Sequence, residues 1–156
     1  MAVTKLTKKK YDELTAELLR RKTEERDKIS KDIQHAKEFG DLSENAEYSA
    51  AKDAYDRNET EIARLEGLLS NIEIIDETTV NTDVVGELTV VKVYDRTFDE
   101  EIVFSIVPSL EVDVFNNKIS ITSPIGKALH GHKAGEVVKA KTPGGEVVLE
   151  IREISK

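Results

Sequence analysis

The stretch F-G-D-L-S-E-N-A-E-Y, residues 39–48, interrupts a long charged region of helical character. Gly40 is typical of a helix end, because glycine readily adopts the left-handed conformation that closes a helix. Asp41 is a typical N-cap residue, so a second helix is expected to begin there. The stretch therefore predicts a short turn between two helices. It also contains three carboxylates, those of Asp41, Glu44 and Glu47, although a turn needs only one capping residue.

Amphipathic helical patterns flank this turn on both sides. Residues 8–39 contain neither proline nor glycine, and their apolar residues recur at spacings of three and four. Thr7 is a candidate N-cap, and the 32 residues predict a helix roughly 48 Å long. Residues 43–70 show a second helical pattern, so the two segments predict an antiparallel coiled-coil hairpin. The inward-facing residues expected on the second helix are Ala46, Ala50, Ala54, Ile62, Leu65, Leu69 and Ile72.

The middle of the hairpin is expected to be polar. Residues 20–28 contain no strongly apolar side chain, and residues 53–61 are nearly as polar. Residues 1–39 carry 11 Lys and Arg against 8 Asp and Glu, whereas residues 40–75 carry 3 against 9. Opposite net charges suit antiparallel neighbours. We therefore expect ion pairs, in place of a dry core, to connect the two helices at mid-length.

After residue 75 the pattern changes to alternation and turns. Residues 84–93, 101–107, 118–122 and 147–154 predict strands. T-P-G-G at residues 142–145 predicts a hairpin turn between strands at residues 137–141 and 146–151. Ser123, as an N-cap followed by a proline, predicts a short helix that stops at Gly131. The fold class is therefore α+β, with a helical hairpin at residues 1–76, its acidic tip at 40–45, and a small antiparallel β domain with one short helix at residues 77–156.

Composition excludes several classes of protein. The chain has no cysteine, so disulfide frameworks and thiolate metal sites are impossible. The net charge of −8 argues against a conventional DNA-binding protein, which has a basic footprint. The N-terminal residues lack the apolar core of a signal peptide, and no apolar run is long enough for a membrane span. A cytoplasmic protein with no membrane partner is expected.

Two interpretations of the tip carboxylates are compatible with each other. In the first, Gly40 ends one helix, Asp41 caps the next, and Glu44 completes a variant of the capping box. In the second, the carboxylates of Asp41 and Glu44 share a divalent cation, since hard oxygen ligands suit Mg²⁺. An exposed pair binds such an ion weakly, so the metal site would be completed by another molecule.

Two longer motifs carry a resemblance to a known family. G-D-L-S-E-N-A-E-Y-S-A-A-K-D, residues 40–53, resembles the hairpin tip of the bacterial transcript cleavage factors of the Gre family. I-S-I-T-S-P-I-G-K-A-L-H-G, residues 119–131, and the T-P-G-G-E that follows at residues 142–146 resemble the C-terminal domain of that family. The motifs occur in the family's order and spacing, and the resemblance covers nearly the whole chain.

The resemblance implies a function and a site. It implies an FKBP-like fold for the C-terminal domain, which would dock at the rim of the secondary channel of bacterial RNA polymerase. The hairpin would reach the polymerase active site, where the tip carboxylates of Asp41 and Glu44 would help to hold Mg²⁺ jointly with polymerase. Polymerase itself would then cleave the nascent RNA 3′ end after backtracking, so the chain is an accessory factor and not an enzyme. Gly40, Asn45 and Tyr48 would support the tip.

The resemblance also implies two contact surfaces. The RNA would meet a basic patch on the hairpin, for which the candidates are Arg20, Arg21, Lys22, Arg26, Lys28, Lys31 and Lys37. The polymerase-docking residues would be Ser123, Pro124, Ile125 and Gly126. A monomer is expected.

Two other functions compete with transcript cleavage. One is an inhibitor that binds the same channel without promoting cleavage, although such relatives depart from the D-L-S-E-N sequence that is intact here. The other is a peptidyl-prolyl isomerase or chaperone, which follows from fold analogy alone. His130 and His132 have no third candidate metal ligand nearby in the sequence, so their segment is expected to form a turn.

Overall fold

The computed structural model describes residues 3–40 and 44–156 of the 156-residue chain. It divides the chain into two compact units. The first comprises Lys9–Glu73 together with the N-terminal residues up to Thr4, and the second comprises Lys5–Lys8 together with Ile74–Lys156. The first unit is helical, and the second is built on a β-sheet.

The helical unit is a hairpin whose first arm is interrupted. Helix α1 (Lys8–Arg20) and helix α2 (Arg26–Lys37) are joined by a π-helical turn at Arg21–Glu25, which the sequence did not predict. Helix α3 (Ala46–Leu69) forms the second arm. The first arm ends two residues before the predicted end at Phe39, and the second begins three residues after the predicted start at residue 43.

The interface between the arms uses only part of the predicted face of α3, because Ile62 and Leu65 are buried as expected but other predicted residues are not. Ala46 and Ala50 are exposed, whereas Ala51, Asn58, Ile62 and Leu65 are buried. The spacing of seven residues from Ala51 to Asn58 and from Asn58 to Leu65 is a heptad pattern. The prediction was wrong for Ala46 and Ala50 because it extended the helix backward to residue 43, and it also left out the polar Asn58. On the first arm, the buried residues are Leu14, Ile29 and Ala36.

The second unit contains a five-stranded sheet. Two short strands, β1 (Thr4–Thr7) and β2 (Ile72–Ile75), form a separate two-stranded sheet. The larger sheet has the order β5-β4-β3-β7-β6. Its strands are β3 (Val90–Asp95), β4 (Glu100–Ile106), β5 (Lys118–Ile119), β6 (Val137–Thr142) and β7 (Gly145–Ser155). Neighbouring strands are antiparallel except for β4 and β5, which are parallel.

One face of this sheet carries the core. Val91, Val93, Ile106 and Leu149 are almost completely buried there. Helix α4 (Pro124–Leu129) contributes Leu129 to the same cluster. The predicted hairpin turn is present: Thr142 pairs with Gly145, which has a φ of +120° that favours glycine.

Two predicted strands are shorter than expected, because hydrogen-bonded turns replace their ends. Residues 84–89 precede β3 as a turn, in which the Thr89 hydroxyl donates to the carbonyl oxygen of Gly86 and Leu88 has a φ of +67°. Strand β5 stops at Ile119, since the carbonyl oxygen of Ser120 accepts the hydrogen bonds that begin the turn into α4. The predicted α+β class, with an N-terminal helical hairpin and a small, mainly antiparallel sheet, is confirmed.

Candidate functional site

The end of the hairpin is closed by a glycine turn. Helix α2 ends at Lys37, and the chain turns at Gly40, which has a φ of +103°. Glycine carries no penalty in this conformation, so the predicted role of Gly40 in ending the first arm agrees with its geometry. Asp41, one of the two predicted metal-binding carboxylates, lies outside the described residues, as do Leu42 and Ser43.

Asn45 is the capping residue of α3. Its Oδ1 accepts a hydrogen bond of 3.0 Å from the backbone N–H of Tyr48, three residues along the chain. The expectation that Asp41 caps this helix and that Glu44 completes a capping box is therefore wrong. The helix begins at Ala46, which places Glu44 before the cap and frees its carboxylate from the helix terminus.

Asn45 also connects the two arms of the hairpin. Its Nδ2 donates a hydrogen bond of 2.6 Å to the carbonyl oxygen of Ala36, in the last turn of α2. The same carbonyl oxygen also accepts a hydrogen bond from the backbone N–H of Phe39, so the Asn45 side chain is an additional donor to it from the other arm. One amide therefore fixes the start of α3 against the end of α2.

The Glu44 carboxylate is exposed beside this connection. Glu44 lies in a shallow depression that Phe39, Asn45, Ala46 and Glu47 also line. Among the described residues, no group of three or more His, Cys, Asp or Glu side chains is arranged to hold a metal ion. An exposed carboxylate is nevertheless the donor type that Mg²⁺ takes, and Mg²⁺ is commonly held by one or two carboxylates with further ligands from a bound molecule. The donor chemistry of Glu44 fits that arrangement.

Most members of the predicted basic patch are ion-paired. Three lie next to residues of α3: the side chains of Lys22 and Glu66 are 3.1 Å apart, Arg26 and Glu59 are 2.8 Å apart, and Arg21 contacts Asn58. Pairs within the first arm join Arg20 to Glu25, Arg21 to Glu17 and Lys31 to Asp27. The prediction that ion pairs connect the middle of the hairpin is confirmed.

The Arg26–Glu59 pair is bidentate, with the Nε and Nη2 of Arg26 donating to the two carboxylate oxygens at 3.0 and 2.8 Å. These hydrogen bonds lower the pKa of Glu59 and raise that of Arg26. Because the carboxylate of Glu59 neutralises the charge of Arg26, this arginine attracts an incoming anion only weakly.

Two lysines of the predicted basic patch differ from the rest. Lys28 and Lys37 are exposed and have no ion pair with any other described residue.

The predicted docking segment is a tightly packed helix start. The Oγ of Ser123 accepts a hydrogen bond from the backbone N–H of Gly126 and donates one to the carbonyl oxygen of Ser120. This confirms Ser123 as the N-cap of α4, which ends at Leu129, two residues before the predicted stop at Gly131. Gly126 is buried and Ile125 packs against the core, so Pro124 is the exposed residue of the four.

The segment of His130 and His132 forms a turn, as expected. Gly131 has a φ of +79°, and the backbone N–H of His132 donates to the carbonyl oxygen of Leu129. The Nδ1 of His132 lies 3.0 Å from a carboxylate oxygen of Glu136.

No helix in the described parts of the chain is long and apolar enough to cross a membrane.

These observations define a class of protein: a helical hairpin with an exposed carboxylate at its end, followed by a small sheet domain. Residues 4–74 match the family model described as transcription elongation factor, N-terminal, and residues 80–156 match the model described as transcription elongation factor, GreA/GreB, C-term. The chain belongs to the GreA/GreB family of transcription elongation factors. It is an accessory factor of transcription.

Named relatives resemble the chain over almost its whole length. Transcription elongation factor GreA of Thermoanaerobacter pseudethanolicus is 46% identical over 97% of this chain and 96% of its own. That of Trichlorobacter lovleyi is 46% identical over 96% and 94%, respectively. Among solved structures, GreA factor homolog 1 of Thermus thermophilus is 32% identical, covers 99% of this chain and 100% of its own, and has a TM-score of 0.46.

Proposed function

We propose that this chain rescues backtracked bacterial RNA polymerase by stimulating the polymerase's own cleavage of the nascent RNA 3′ end. The observation that carries the proposal is the exposed Glu44 carboxylate, next to the Asn45 amide that connects the ends of α2 and α3. A carboxylate in this position is available to another molecule and has a fixed support. The hairpin would reach the polymerase active site through the secondary channel.

The proposed cofactor is Mg²⁺, held by Asp41 and Glu44 together with polymerase. When bound, the ion would lower the pKa of an attacking water and stabilise negative charge on the leaving oxygen. The two carboxylates supply oxygen atoms, and Glu44 alternatively accepts a proton from the water. Asn45 supports this chemistry by holding the backbone of Glu44 next to the end of α2, and Tyr48 contributes the N–H that Asn45 caps.

The RNA-facing charge is assigned to Lys28 and Lys37. The other five members of the basic patch are each paired with a carboxylate on their own arm or on the other. Lys37 lies in a groove between α2 and α3 that also contains Ile33 and the half-exposed ring of Tyr55. Lysines without an ion pair to another described residue attract phosphate oxygens without first giving up such a pair.

Docking on the polymerase is assigned to the segment 123–126, with separate roles for its residues. Pro124 is exposed and can contact a partner directly. Ser123 and Gly126 hold the shape of the segment through their hydrogen bond and the close packing of Gly126 against Ser120.

The test uses a stalled, backtracked polymerase with labelled RNA. The wild-type chain should accelerate Mg²⁺-dependent cleavage from the RNA 3′ end. Glu44→Gln and Asp41→Asn should retain polymerase binding and lose at least tenfold in cleavage rate, since each loses a charged oxygen ligand. Glu38→Gln is the matched control, because Glu38 is an exposed carboxylate at the end of the other arm, outside the proposed site.

Two results would contradict the proposal. Equal cleavage by wild type, Glu44→Gln and Asp41→Asn would remove the tip from the mechanism. Polymerase binding that slows RNA synthesis without any cleavage would instead identify the chain as a channel-binding inhibitor.

A further inference from the structure

Asn58 is a polar residue in the middle of the interface between the arms. Its side chain is 4% exposed, and it lies one heptad from both Ala51 and Leu65, which are also buried. Burying an amide in an apolar interface is unfavourable unless hydrogen bonds replace those lost to water. No role was predicted for this position from the pattern of apolar residues on α3.

Both ends of the Asn58 amide are bonded to one residue, Arg21. The Nδ2 of Asn58 donates a hydrogen bond of 3.0 Å to the backbone carbonyl oxygen of Arg21. The Oδ1 of Asn58 accepts a hydrogen bond of 3.2 Å from the Nη1 of Arg21. Arg21 is itself held by Glu17, whose carboxylate accepts from its Nε at 3.0 Å. The buried amide is therefore satisfied only when these two residues face each other.

Arg21 is the first residue of the π-helical turn Arg21–Glu25. The turn contains neither proline nor glycine, the usual causes of an interrupted helix. Thr23 donates its hydroxyl hydrogen to the carbonyl oxygen of Leu19, but that bond lies within the same arm. The Arg21–Asn58 hydrogen bonds tie the start of this turn to α3 within the buried part of the interface, whereas the Lys22–Glu66 ion pair joins the two arms at an exposed position.

The position of a π-helical turn sets the rotation of the helix that follows it. Such a turn accommodates about one residue more than an α-helical turn, and one residue corresponds to about 100° of rotation and 1.5 Å of rise. Moving or removing the turn would therefore present a different face of α2 to α3. The end of α2 is bonded to Asn45, so the change would reach the residues beside Glu44.

We propose that the Asn58–Arg21 pair fixes the register between the two arms and thereby positions the acidic tip. A single buried asparagine is known to set register in coiled coils at some cost in stability. Asn58 is thus a positioning residue that acts through α2 and Asn45. The register part stands on the structure alone, while the consequence for RNA cleavage rests on the proposed function.

The experiment compares wild type with Asn58→Leu and Asn58→Asp in the full chain. Leucine fills the interface but makes neither hydrogen bond, and aspartate keeps the acceptor for Arg21 but loses the donor to its carbonyl oxygen. Spin labels at Asp32 on α2 and Lys52 on α3, both exposed and on opposite arms, report the register by their separation. In both variants we expect this distance to change by several ångströms and amide exchange at Arg21–Glu25 to change at least tenfold.

Cleavage assays then separate positioning from folding. At saturating factor, the variants should show a maximal cleavage rate at least tenfold lower, with the half-saturating concentration within about twofold of wild type. Loss of folded protein alone would raise the half-saturating concentration and leave the maximal rate unchanged. Glu66→Gln, which removes the Lys22–Glu66 ion pair near the same level of the hairpin, is the control and should match wild type in every measurement.

The outcomes distinguish the two proposals. An unchanged label distance in Asn58→Leu would overturn the register role. A changed distance with a normal maximal cleavage rate would overturn the positioning role. If wild type itself fails to stimulate cleavage, the proposed function fails, whereas a changed label distance would still support the register role.

Discussion

At Gly126, a Cβ atom added to the backbone would lie 1.9 Å from the carbonyl oxygen of Ser120. That oxygen cannot move away easily, because it accepts hydrogen bonds from both the backbone N–H and the hydroxyl of Ser123. The shape of the proposed docking segment therefore depends on the absence of a side chain at this one position. The contacts that hold Ser123 and the space that Gly126 leaves are parts of the same turn.

We expect Gly126→Ala to destabilise the protein by about 2 kcal/mol or more, because overpacking against fixed backbone atoms forces the turn to shift. Urea denaturation of the full chain measures the change. Gly67→Ala is the matched control: nothing lies within 4 Å of a Cβ there, and the residue is in α3. Alanine should stabilise the helix by up to about 1 kcal/mol. Equal stability of Gly126→Ala and Gly67→Ala would show that the turn at Ser120 can shift to accommodate the added Cβ atom.

The tip shows which residue roles could be predicted from sequence. Gly40 was recognisable because a left-handed residue is needed after a helix and glycine supplies it. The capping residue was not, since Asp41, Ser43 and Asn45 are all favourable N-caps by local preference. The bond from Asn45 to Ala36 involves residues nine positions apart, and local preference carries no information about it. The exposed carboxylate of Glu44 was predicted correctly for its position at the tip.

At the scale of elements, the two arms were predictable and the connection between them was not. The spacing of apolar residues gave both helices, but the π-helical turn at Arg21–Glu25 has no such signal in its own sequence. Its partner Asn58 breaks the apolar pattern of α3, and a heptad count from Ala51 to Leu65 is the signal that could have identified it. In the sheet unit, residues 84–89 alternate like a strand but form a turn, because Leu88 adopts a positive φ.

The Arg26–Glu59 pair makes the stability of the hairpin depend on pH. The hydrogen bonds from Arg26 lower the folded-state pKa of Glu59. The pair therefore stabilises the hairpin above the ordinary glutamate pKa of about 4.3. That contribution is lost as the pH falls through the lower folded-state value. Glu59→Gln should lower the thermal midpoint at pH 7, and its difference from wild type should shrink below pH 4.

Circular dichroism at 222 nm, recorded during heating at several pH values, follows the helices for this comparison. Glu24→Gln is the control, since Glu24 is exposed and has no ion pair with any other described residue. A difference between Glu59→Gln and wild type that stays constant from pH 7 to pH 3 would contradict a role for the paired carboxylate.

At the scale of the whole molecule, the two proposed activities belong to different units. The carboxylate of Glu44 lies in the helical unit, and the docking segment 123–126 lies in the sheet unit. Each unit has its own buried residues: Ile29, Ile62 and Leu65 in one, and the sheet core in the other. The two proposals can therefore be tested by substitutions in different units.

This division predicts that binding and cleavage respond to different substitutions. Pro124→Ala should raise the concentration of factor needed for half-maximal cleavage severalfold, because an exposed docking contact is lost, and should leave the maximal rate unchanged. Glu44→Gln should instead lower the maximal cleavage rate and leave the half-saturating concentration unchanged. Titration of each variant against a fixed amount of backtracked polymerase measures both quantities. A Pro124→Ala variant that loses maximal rate at unchanged half-saturation would contradict the assignment of docking to this residue.

The two outer strands of the sheet affect how readily the protein aggregates in concentrated solution. Strand β5 is only two residues long, and β6 presents Lys139 and Lys141 on its exposed face. A long, uncharged outer strand would offer backbone groups to a strand of another molecule, which is how many proteins begin to aggregate. A very short strand on one side and alternating lysines on the other discourage that pairing. Both outer strands therefore lower the tendency of this sheet to pair edge to edge with another molecule.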